Sequence, residues 1–278
     1  RLLANNPQQT RWAMGLAATQ SSGMREMFGS MCKSFHVGNA AKNGLMSAML
    51  ASNGFTSSEQ GIEAKRGWAN VTSTKQDYSF ITEGLGEKFL ISENSYKPFA
   101  SGVVVHPGID GCSQLRDEYG LKPSDVESIN LKVNPLVMEL TGKESPSTGL
   151  EGKFSIYHAC AIAIQHGKGG ENEFSDAAVN DPIAVSLRKK VKPEIDPTVP
   201  ADAMGITINT KDGRTFEKYI EKALGSLENP ISNAQMDDKT RDLCRPMLGD
   251  AGTEKLIETC RNAANLANAA DIARVATP

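Results

Sequence analysis

The sequence lacks any long hydrophobic run and any excess of basic residues. None of its uninterrupted apolar stretches approaches the roughly 20 residues that a membrane-spanning helix needs. Its formal net charge is −3, so it has no cationic surplus with which to neutralise nucleic-acid phosphates. We therefore expect neither a membrane nor a nucleic acid as its partner. Any anion site must be local and built from a few placed cations.

Patterns that bind metals or form disulfides are also missing. The five cysteines are odd in number, widely spaced and without a CxxC pair, and the four histidines form neither HxxxH nor HExxH. We expect reduced, mostly buried thiols in a cytoplasmic protein, or in a mitochondrial one if the source is eukaryotic. No metal ligands are predicted, and only a metal site assembled across the fold is left open.

The first 92 residues have a helical pattern. The chain starts at Arg1 with neither an initiator methionine nor a signal-peptide pattern, which we interpret as a start within a domain whose N-terminal portion is missing. Apolar residues recur at helical spacing over residues 10–20 and 39–53. Gly54 is predicted to cap the second of these helices, and residues 56–59 have the spacing of a capping box for the next helix. A further short helix is predicted over residues 75–82.

Strand and helix patterns alternate in the middle of the chain. The β-branched run at residues 103–105 predicts a strand, and Pro107 then starts a helix that Gly120 ends. Alternating apolar residues predict further strands, and longer apolar stretches predict buried helices. The predicted strands are residues 126–133, 204–208 and 216–220, with a hairpin turn at 211–213, and the predicted helices are residues 154–166 and 182–189.

The chain returns to helices after residue 225, where Ser232 is placed as a helix cap. The order helical, mixed, helical predicts an α+β fold. An α+β domain (residues 93–224) is inserted into a discontinuous all-helical domain formed by residues 1–92 and 225–278. A cleft at such a junction is a common place for a ligand.

A lysine and a histidine lie three residues apart in the segment of residues 29–41. Lys33 and His36 precede Gly38-Asn39, which we predict to be a helix start. Free N–H groups and a partial positive charge at a helix N-terminus, together with two cations, favour a bound carboxylate. The alternative is an exposed lysine and a histidine that only hydrogen-bonds the backbone.

Residues 96–107 lie where the helical part gives way to the α+β part. Lys97 is predicted to lie at a hinge, and His106 follows the predicted strand and starts a helix. A histidine in this place can titrate near neutral pH and act as an acid or a base. The alternative is a histidine that caps the helix or packs in the core.

A third segment, residues 149–161, has polar groups at the start of an apolar helix. Lys153 precedes Tyr157 and His158, which are placed to point into a cleft, and simple helix capping is the alternative. Cys160 has no evident activating base and is interpreted as a core residue.

Together these segments resemble the MmgE/PrpD family over nearly the whole chain. Each matching stretch is weak alone, but their order and spacing are specific. The stretches are residues 29–41, 54–56, 97–110, 153–155 and 174–182. The resemblance, to the C-terminal part of such an enzyme, implies a split helical domain and a smaller α+β lid that enclose the active site. It also implies a homodimer that works without a metal or an organic cofactor.

The resemblance also implies site residues. Lys33 and Lys97 match lysines that line the family's site, and His106 matches the histidine of the lid motif. We predict a catalytic set and a substrate-binding set from these matches and their neighbours. The catalytic set is Lys33, Lys97, His106 and His158, and the substrate-binding set is Ser30, His36, Lys153 and Tyr157.

Two positions depart from the cis-aconitate decarboxylases of the family. His158 lies where that enzyme carries a tyrosine, and Gly102 lies where it has an active-site histidine. These departures argue against the decarboxylase reaction. Family members also supply an acidic residue and a histidine from a preceding helical segment, so we expect the site within this chain to be incomplete.

These inferences predict a metal-free lyase that acts on a small polycarboxylic acid. Lysines would hold the substrate carboxylates, and a histidine would move the proton. A 2-methylcitrate dehydratase-like hydro-lyase ranks first. The alternatives are a cis-aconitate decarboxylase-like carboxy-lyase, an epimerase or isomerase of a dicarboxylate, and a non-catalytic scaffold or fragment.

Overall fold

The computed structural model describes residues 3–278 and divides the chain into two compact units, Arg1–Ser92 and Glu93–Pro278. The structure is mostly helical with one small mixed sheet, which makes it α+β as predicted. Among the helices of residues 3–278, none has the length and apolar character that crossing a bilayer requires. The placement of residues 225–278 in one domain with residues 1–92 stays a prediction.

The Arg1–Ser92 unit is built around two helices that pack against each other, α1 (Pro7–Ala18) and α2 (Met31–Ser52). Helix α1 begins with a capping box, in which the side chain of Asn6 accepts from the backbone N–H of Gln9 and the reverse bond is also made. Two short helices follow, α3 (Trp68–Thr72) and α4 (Ser79–Thr82).

The predicted start of the second helix at Gly38-Asn39 is wrong, because α2 begins at Met31. Ser30 is its N-cap, with an extended backbone at φ −121° and ψ 163°. The helix continues through Gly38, since an internal glycine costs a helix only about 1 kcal/mol relative to alanine. Lys33 and His36 therefore lie in the first two turns of α2, and not before its start.

Two further helix predictions in this unit need correction. The Thr-Ser-Ser-Glu stretch at residues 56–59 starts no helix, because the hydroxyl of Ser57 donates to the carbonyl of Trp12 at 2.9 Å and not to a helix terminus. The helix predicted over residues 75–82 is confined to α4. The carboxylate of Asp77 accepts from both the N–H and the hydroxyl of Ser79, so the helical turn begins only there.

The Glu93–Pro278 unit contains a four-stranded sheet in the order β2-β1-β3-β4. The strands are β1 (Val126–Val133), β2 (Val191–Ile195), β3 (Met204–Thr210) and β4 (Thr215–Ile220). Strands β1 and β2 are parallel, whereas β1–β3 and β3–β4 are antiparallel. The predicted hairpin turn between β3 and β4 is confirmed, and Gly213 supplies its left-handed residue at φ 88°.

Two helices cover this sheet and form the core with it, α5 (His106–Tyr119) and α8 (Ile156–His166). Both end at a left-handed glycine, Gly120 and Gly167, as the sequence predicts. Helix α5 packs very closely on the sheet, since a Cβ at Gly111 would lie 2.2 Å from Cδ1 of Ile206. The fully buried Ile and Leu side chains between these layers stabilise the unit by roughly 1.5–3 kcal/mol each.

The strand predicted at residues 103–105 is wrong, because Val103–Val105 forms one turn of 3-10 helix. Val104 and Val105 are buried while Val103 is exposed, an arrangement that a turn provides and an alternating strand does not. The turn runs directly into α5 at His106. Local β propensity is overridden here by the burial of two valines on the same side of the chain.

The remaining helices of this unit surround the core or follow it. They are α6 (Pro135–Thr141), α7 (Gly149–Gly152), α9 (Asp176–Val179), α10 (Pro182–Arg188), α11 (Asn233–Arg261) and α12 (Ala270–Val275). Ser232 caps α11 with a full capping box, as predicted, and α11 bends at Gly249, where φ is 65° and ψ is 178°. Helix α11 matters for the site because it lies beside the segment that contains Lys97.

Candidate active site

A pocket of about 320 Å³ in the Glu93–Pro278 unit brings two of the predicted catalytic residues together. Lys97 and His106 both line it, with Val103 and Pro107 beside them. A loop at residues 223–228 forms another part of the lining. The pocket therefore combines a cation and a histidine with two carboxylates, those of Asp202 and Glu228.

The backbone segment that contains Lys97 is hydrogen-bonded to two distant parts of the chain. The N–H of Tyr96 donates to the carbonyl of Gly225 at 3.1 Å, and the N–H of Ala100 donates to the carbonyl of Gly169 at 2.9 Å. The ammonium group of Lys97 donates to the carbonyl of Ser101 at 3.1 Å. The two backbone bonds fix the main chain on both sides of Lys97, and the Ser101 carbonyl holds its ammonium group.

His106 is the first residue of α5 and only 5% exposed. Its Nε2 is buried and has no hydrogen-bond partner among the described residues. The ring meets the Phe99 ring edge to face, with centroids 5.3 Å apart. Burial and then the positive charge of Lys97 lower the pKa of His106 to about 4, against the opposing effect of the Ser101 carbonyl. His106 is therefore neutral at pH 7 and able to accept a proton.

The loop of residues 223–228 is attached to α5 by a buried carboxylate. Asp110 lies one turn after His106, and its Oδ2 accepts from the N–H of Leu224 at 2.8 Å. Its Oδ1 accepts from the side-chain amide of Gln114 at 2.7 Å. Asp110 thus fixes the loop of residues 223–228 relative to the helix that carries His106.

Lys153, Tyr157 and His158 do not line the pocket that contains Lys97. Lys153 pairs with Glu171 at 2.5 Å, and its carbonyl accepts from the N–H of Gly102 at 3.1 Å, so it supports the segment that leads to His106. Tyr157 is partly buried and packs against the core, and burial raises its pKa.

His158 is fully buried in α8. Its Nε2–H donates to the carbonyl of Glu173 at 2.9 Å, which leaves Nδ1 as an unprotonated and unpartnered nitrogen. Burial lowers the pKa of His158 to about 4. A catalytic role for His158 stays a prediction, and its surroundings in the structure are those of a core histidine.

Ser30, Lys33 and His36 belong to the Arg1–Ser92 unit. The hydroxyl of Ser30 donates to the carbonyl of Met27 at 2.6 Å, and the ammonium group of Lys33 lies 5.6 Å from the centroid of the Phe28 ring. His36 lines a separate groove of about 550 Å³ in this unit and lies 3.8 Å from the sulfur of Cys32. The convergence of Lys33 with Lys97 on one substrate stays a prediction.

Comparison with known proteins identifies the family of the chain. Residues 99–263 match the MmgE/PrpD C-terminal domain, and residues 1–81 match the MmgE/PrpD N-terminal domain. The chain belongs to the MmgE/PrpD family. The sequence predicts a similarity to the C-terminal part of such an enzyme. The match is wider, because residues 1–81 also correspond to the N-terminal domain of the family.

Named relatives of this MmgE/PrpD-family chain are cis-aconitate decarboxylases. The human protein is 25% identical over 96% of this chain, the mouse protein 24% over 95%, and the Aspergillus terreus protein 23% over 92%. The chain spans 57%, 56% and 57% of the length of these three relatives, respectively. The similarity therefore concerns little more than half of each relative.

No cluster of three or more histidine, cysteine, aspartate or glutamate side chains that could hold a metal occurs in residues 3–278. Cys112 and Cys160 are both buried, and contact with Cys112 together with burial raises the pKa of Cys160 well above its usual value. Cys160 is thus a protonated core thiol, consistent with its interpretation from the sequence.

Asp110 and Gly225 are functional residues that sequence reasoning missed. Asp110 lies inside the His-Pro-Gly-Ile-Asp stretch that carries the family resemblance, but the sequence gives no sign that it contacts a loop 114 residues away. Gly225 has φ 92°, and a Cβ there would lie 2.2 Å from the carbonyl oxygen of Tyr96 and 2.5 Å from Cδ of Pro98. Only glycine allows the loop to approach the Lys97 segment this closely.

Replacing Gly225 by alanine is expected to open the pocket wall. Gly213→Ala is the matched control, because Gly213 has a similar φ of 88° but nothing within 4 Å of the added Cβ. Gly225→Ala should lower the free energy of unfolding by about 1–3 kcal/mol more than Gly213→Ala does, since it adds a backbone clash to the same strain. Urea unfolding of the two variants measures the difference, and equal losses would show that the contact with Tyr96 is not tight.

Proposed function

We propose that this MmgE/PrpD-family protein is a lyase that acts on a small polycarboxylic acid in the pocket of Lys97 and His106. The proposal rests chiefly on one observation, the presence of a lysine ammonium and a buried histidine with a free Nε2 in the same pocket. Lys97 binds a substrate carboxylate, and His106 takes or returns a proton at the adjacent carbon. A 2-methylcitrate dehydratase-like hydro-lyase is our first candidate.

The chemistry follows from the acidity of a C–H next to a carboxylate. Removal of that proton builds negative charge on the carboxylate oxygens, and an ammonium group already in place stabilises this charge without reorganisation. Neutral His106 takes the proton from carbon, and in dehydration the β-hydroxyl leaves as the C=C bond forms and takes up that proton from His106, so that water is released. Because the charge of Lys97 is one cause of the low pKa of His106, a carboxylate bound to Lys97 makes His106 more basic while the substrate is present.

Decarboxylation is the second candidate, favoured by the names of the relatives. Gly102 weighs against it, because the resemblance places an active-site histidine there in the decarboxylases. A Cβ at position 102 would lie 3.2 Å from Cγ2 of Thr141, which leaves little room for a larger side chain. Epimerisation or isomerisation of a dicarboxylate uses the same proton abstraction with return of the proton to the other face. A scaffold without activity is the alternative outside catalysis.

Other parts of the proposal extend beyond this pocket. Lys33 is proposed as the second carboxylate clamp, with Ser30 and His36 near it, and His158 as a second acid or base. Lys153 and Tyr157 are proposed to contact the substrate. We further propose that the protein is a cytoplasmic homodimer and that the reaction requires neither a metal nor an organic cofactor.

A panel of polycarboxylates tests this function directly. The full-length protein should show a rise in Tm with one or more of 2-methylcitrate, citrate and cis-aconitate, but not with acetate, because binding to the folded state alone stabilises it. Turnover is followed by loss or gain of absorbance of the unsaturated acid and by release of CO2. Water loss from 2-methylcitrate supports the hydro-lyase, and CO2 from cis-aconitate supports the decarboxylase. Neither a Tm shift nor turnover with any member would favour the scaffold.

A further inference from the structure

A lysine on helix α11 reaches the segment that carries Lys97. The ammonium group of Lys239 donates to the backbone carbonyl of Lys97 at 2.8 Å, across 142 residues of sequence. Lys239 is half-buried. The neighbouring carboxylates Asp237 and Asp238 are engaged elsewhere, with Arg261 and Arg241 respectively.

This contact completes the support of the Lys97 main chain. Before Lys97, the N–H of Tyr96 donates to the carbonyl of Gly225 at 3.1 Å. At Lys97 itself, the backbone carbonyl accepts from the ammonium group of Lys239. Pro98 follows directly, so the peptide after Lys97 has no N–H that could anchor it to a neighbour. The Lys239 bond therefore helps to fix the orientation of this peptide, and with it the direction in which the Lys97 side chain leaves the backbone.

Lys239 also contributes charge to the site. Lys97 and Lys239 line a second, smaller pocket of about 200 Å³ with Glu171 and Asp242, and Glu171 is already paired with Lys153. Lys97 from its own segment and Lys239 from α11 disfavour the protonated form of His106, and two carboxylates, Asp202 and Glu228, line the same pocket. The carboxylate of Asp110, on the same helix as His106, accepts hydrogen bonds from the N–H of Leu224 and the side-chain amide of Gln114.

We propose that Lys239 is a positioning residue of this site, which holds the Lys97 peptide in place through its bond to the Lys97 carbonyl. It acts through Lys97 and His106 and does not touch the substrate. Its effect on catalysis rests on the proposed function, whereas its effect on the two residues can be measured in the protein without any substrate.

The test compares three variants of Lys239 with a control on the same helix. Lys239→Met removes the charge and the donor, Lys239→Gln removes the charge but keeps an N–H donor, and Lys239→Arg keeps both. Lys255→Met is the control, because Lys255 is an exposed lysine of α11. Melting temperature and α-helix content identify any variant that does not fold, and Lys239→Arg then remains to test rescue.

NMR titration of the histidine ring signals gives the first measurement, with the His106 signal assigned by its absence in His106→Gln. The pKa of His106 should rise in Lys239→Met and in Lys239→Gln, and stay unchanged in Lys239→Arg and Lys255→Met. Exchange of the Tyr96 amide proton gives the second. It should become about 10- to 100-fold faster in Lys239→Met, because a charge-assisted hydrogen bond that holds the same segment has been lost.

Kinetic assays separate this proposal from the proposed function. If the wild type converts a polycarboxylate, Lys239→Met should raise KM more than it lowers kcat, because a misplaced Lys97 weakens carboxylate binding in the ground state as well as the transition state. If the wild type converts none, the proposed function fails, while the NMR measurements still decide the role of Lys239. Unchanged His106 titration and Tyr96 exchange in Lys239→Met, relative to Lys255→Met, would overturn the proposal.

Discussion

Replacing Lys97 by alanine is expected to lower kcat/KM for the polycarboxylate substrate by on the order of 10²-fold or more. The physical reason is that the ammonium group binds the substrate carboxylate and also stabilises the further charge that develops on it as the proton leaves. This group donates to the carbonyl of Ser101 at 3.1 Å. That neutral partner can be exchanged for a carboxylate, which makes a stronger, charge-assisted bond.

Two controls make the Lys97 result specific. Lys192→Ala removes an exposed lysine from strand β2 and should leave kcat/KM within about twofold of the wild type, since exposed charges contribute little. Lys97→Arg keeps the charge in a different geometry and should recover part of the activity. The folded fraction of each variant is checked by its Tm. Equal turnover by the wild type and Lys97→Ala would remove Lys97 from the mechanism.

Elements bounded by local signals could be predicted from the sequence. Gly120 and Gly167 end helices α5 and α8 at left-handed positions, and the hairpin between β3 and β4 turns at Gly213. In each case the residue that sets the boundary lies at the boundary itself. The conformational freedom of glycine is therefore visible without knowledge of the rest of the fold.

Elements decided by distant contacts could not be predicted. Strand β2 contains Pro193, which argues against a strand in a sequence analysis, but β2 is an edge strand whose only partner is β1. The three valines of Val103–Val105 favour a strand by their β propensity, but they form a turn. Propensity carries no information on which of these side chains the core will bury. In both cases the deciding partner lies far away in the sequence.

The same distinction applies to the site. Lys97 and His106 lie nine positions apart within one recognisable stretch, and the structure places them in one pocket. The groups that hold them there, Asp110 through Leu224 and Lys239 through the Lys97 carbonyl, act across 114 and 142 residues. A sequence motif can reveal the reacting groups, whereas their supports become visible only when the chain is folded.

Replacing His106 by glutamine is expected to lower kcat by about 10²- to 10⁴-fold, the usual contribution of a positioned general base. The free enzyme needs neutral His106, whose pKa is about 4, so kcat/KM should rise as pH increases through about 4 and then level off. In the substrate complex a carboxylate offsets the charge of Lys97, which raises the pKa of His106. The rise in kcat should therefore occur at a higher pH than the rise in kcat/KM, and this separation should be smaller in Lys97→Ala, where no ammonium group holds the carboxylate near His106.

Measuring the free energy of unfolding at each pH separates a loss of activity caused by unfolding from one caused by protonation of His106. Burial holds the pKa of both His106 and His158 at about 4, below the usual 6.5, so the unfolded chain binds protons more readily between these values. The free energy of unfolding should therefore fall as pH decreases from about 6.5 towards 4, and the loss should be smaller in His106→Gln. His166→Gln, at the exposed end of α8, is the control and should retain wild-type activity and pH dependence. A wild-type pH profile of kcat/KM in His106→Gln would show that another group is the base, and His158→Gln would then be the variant to examine.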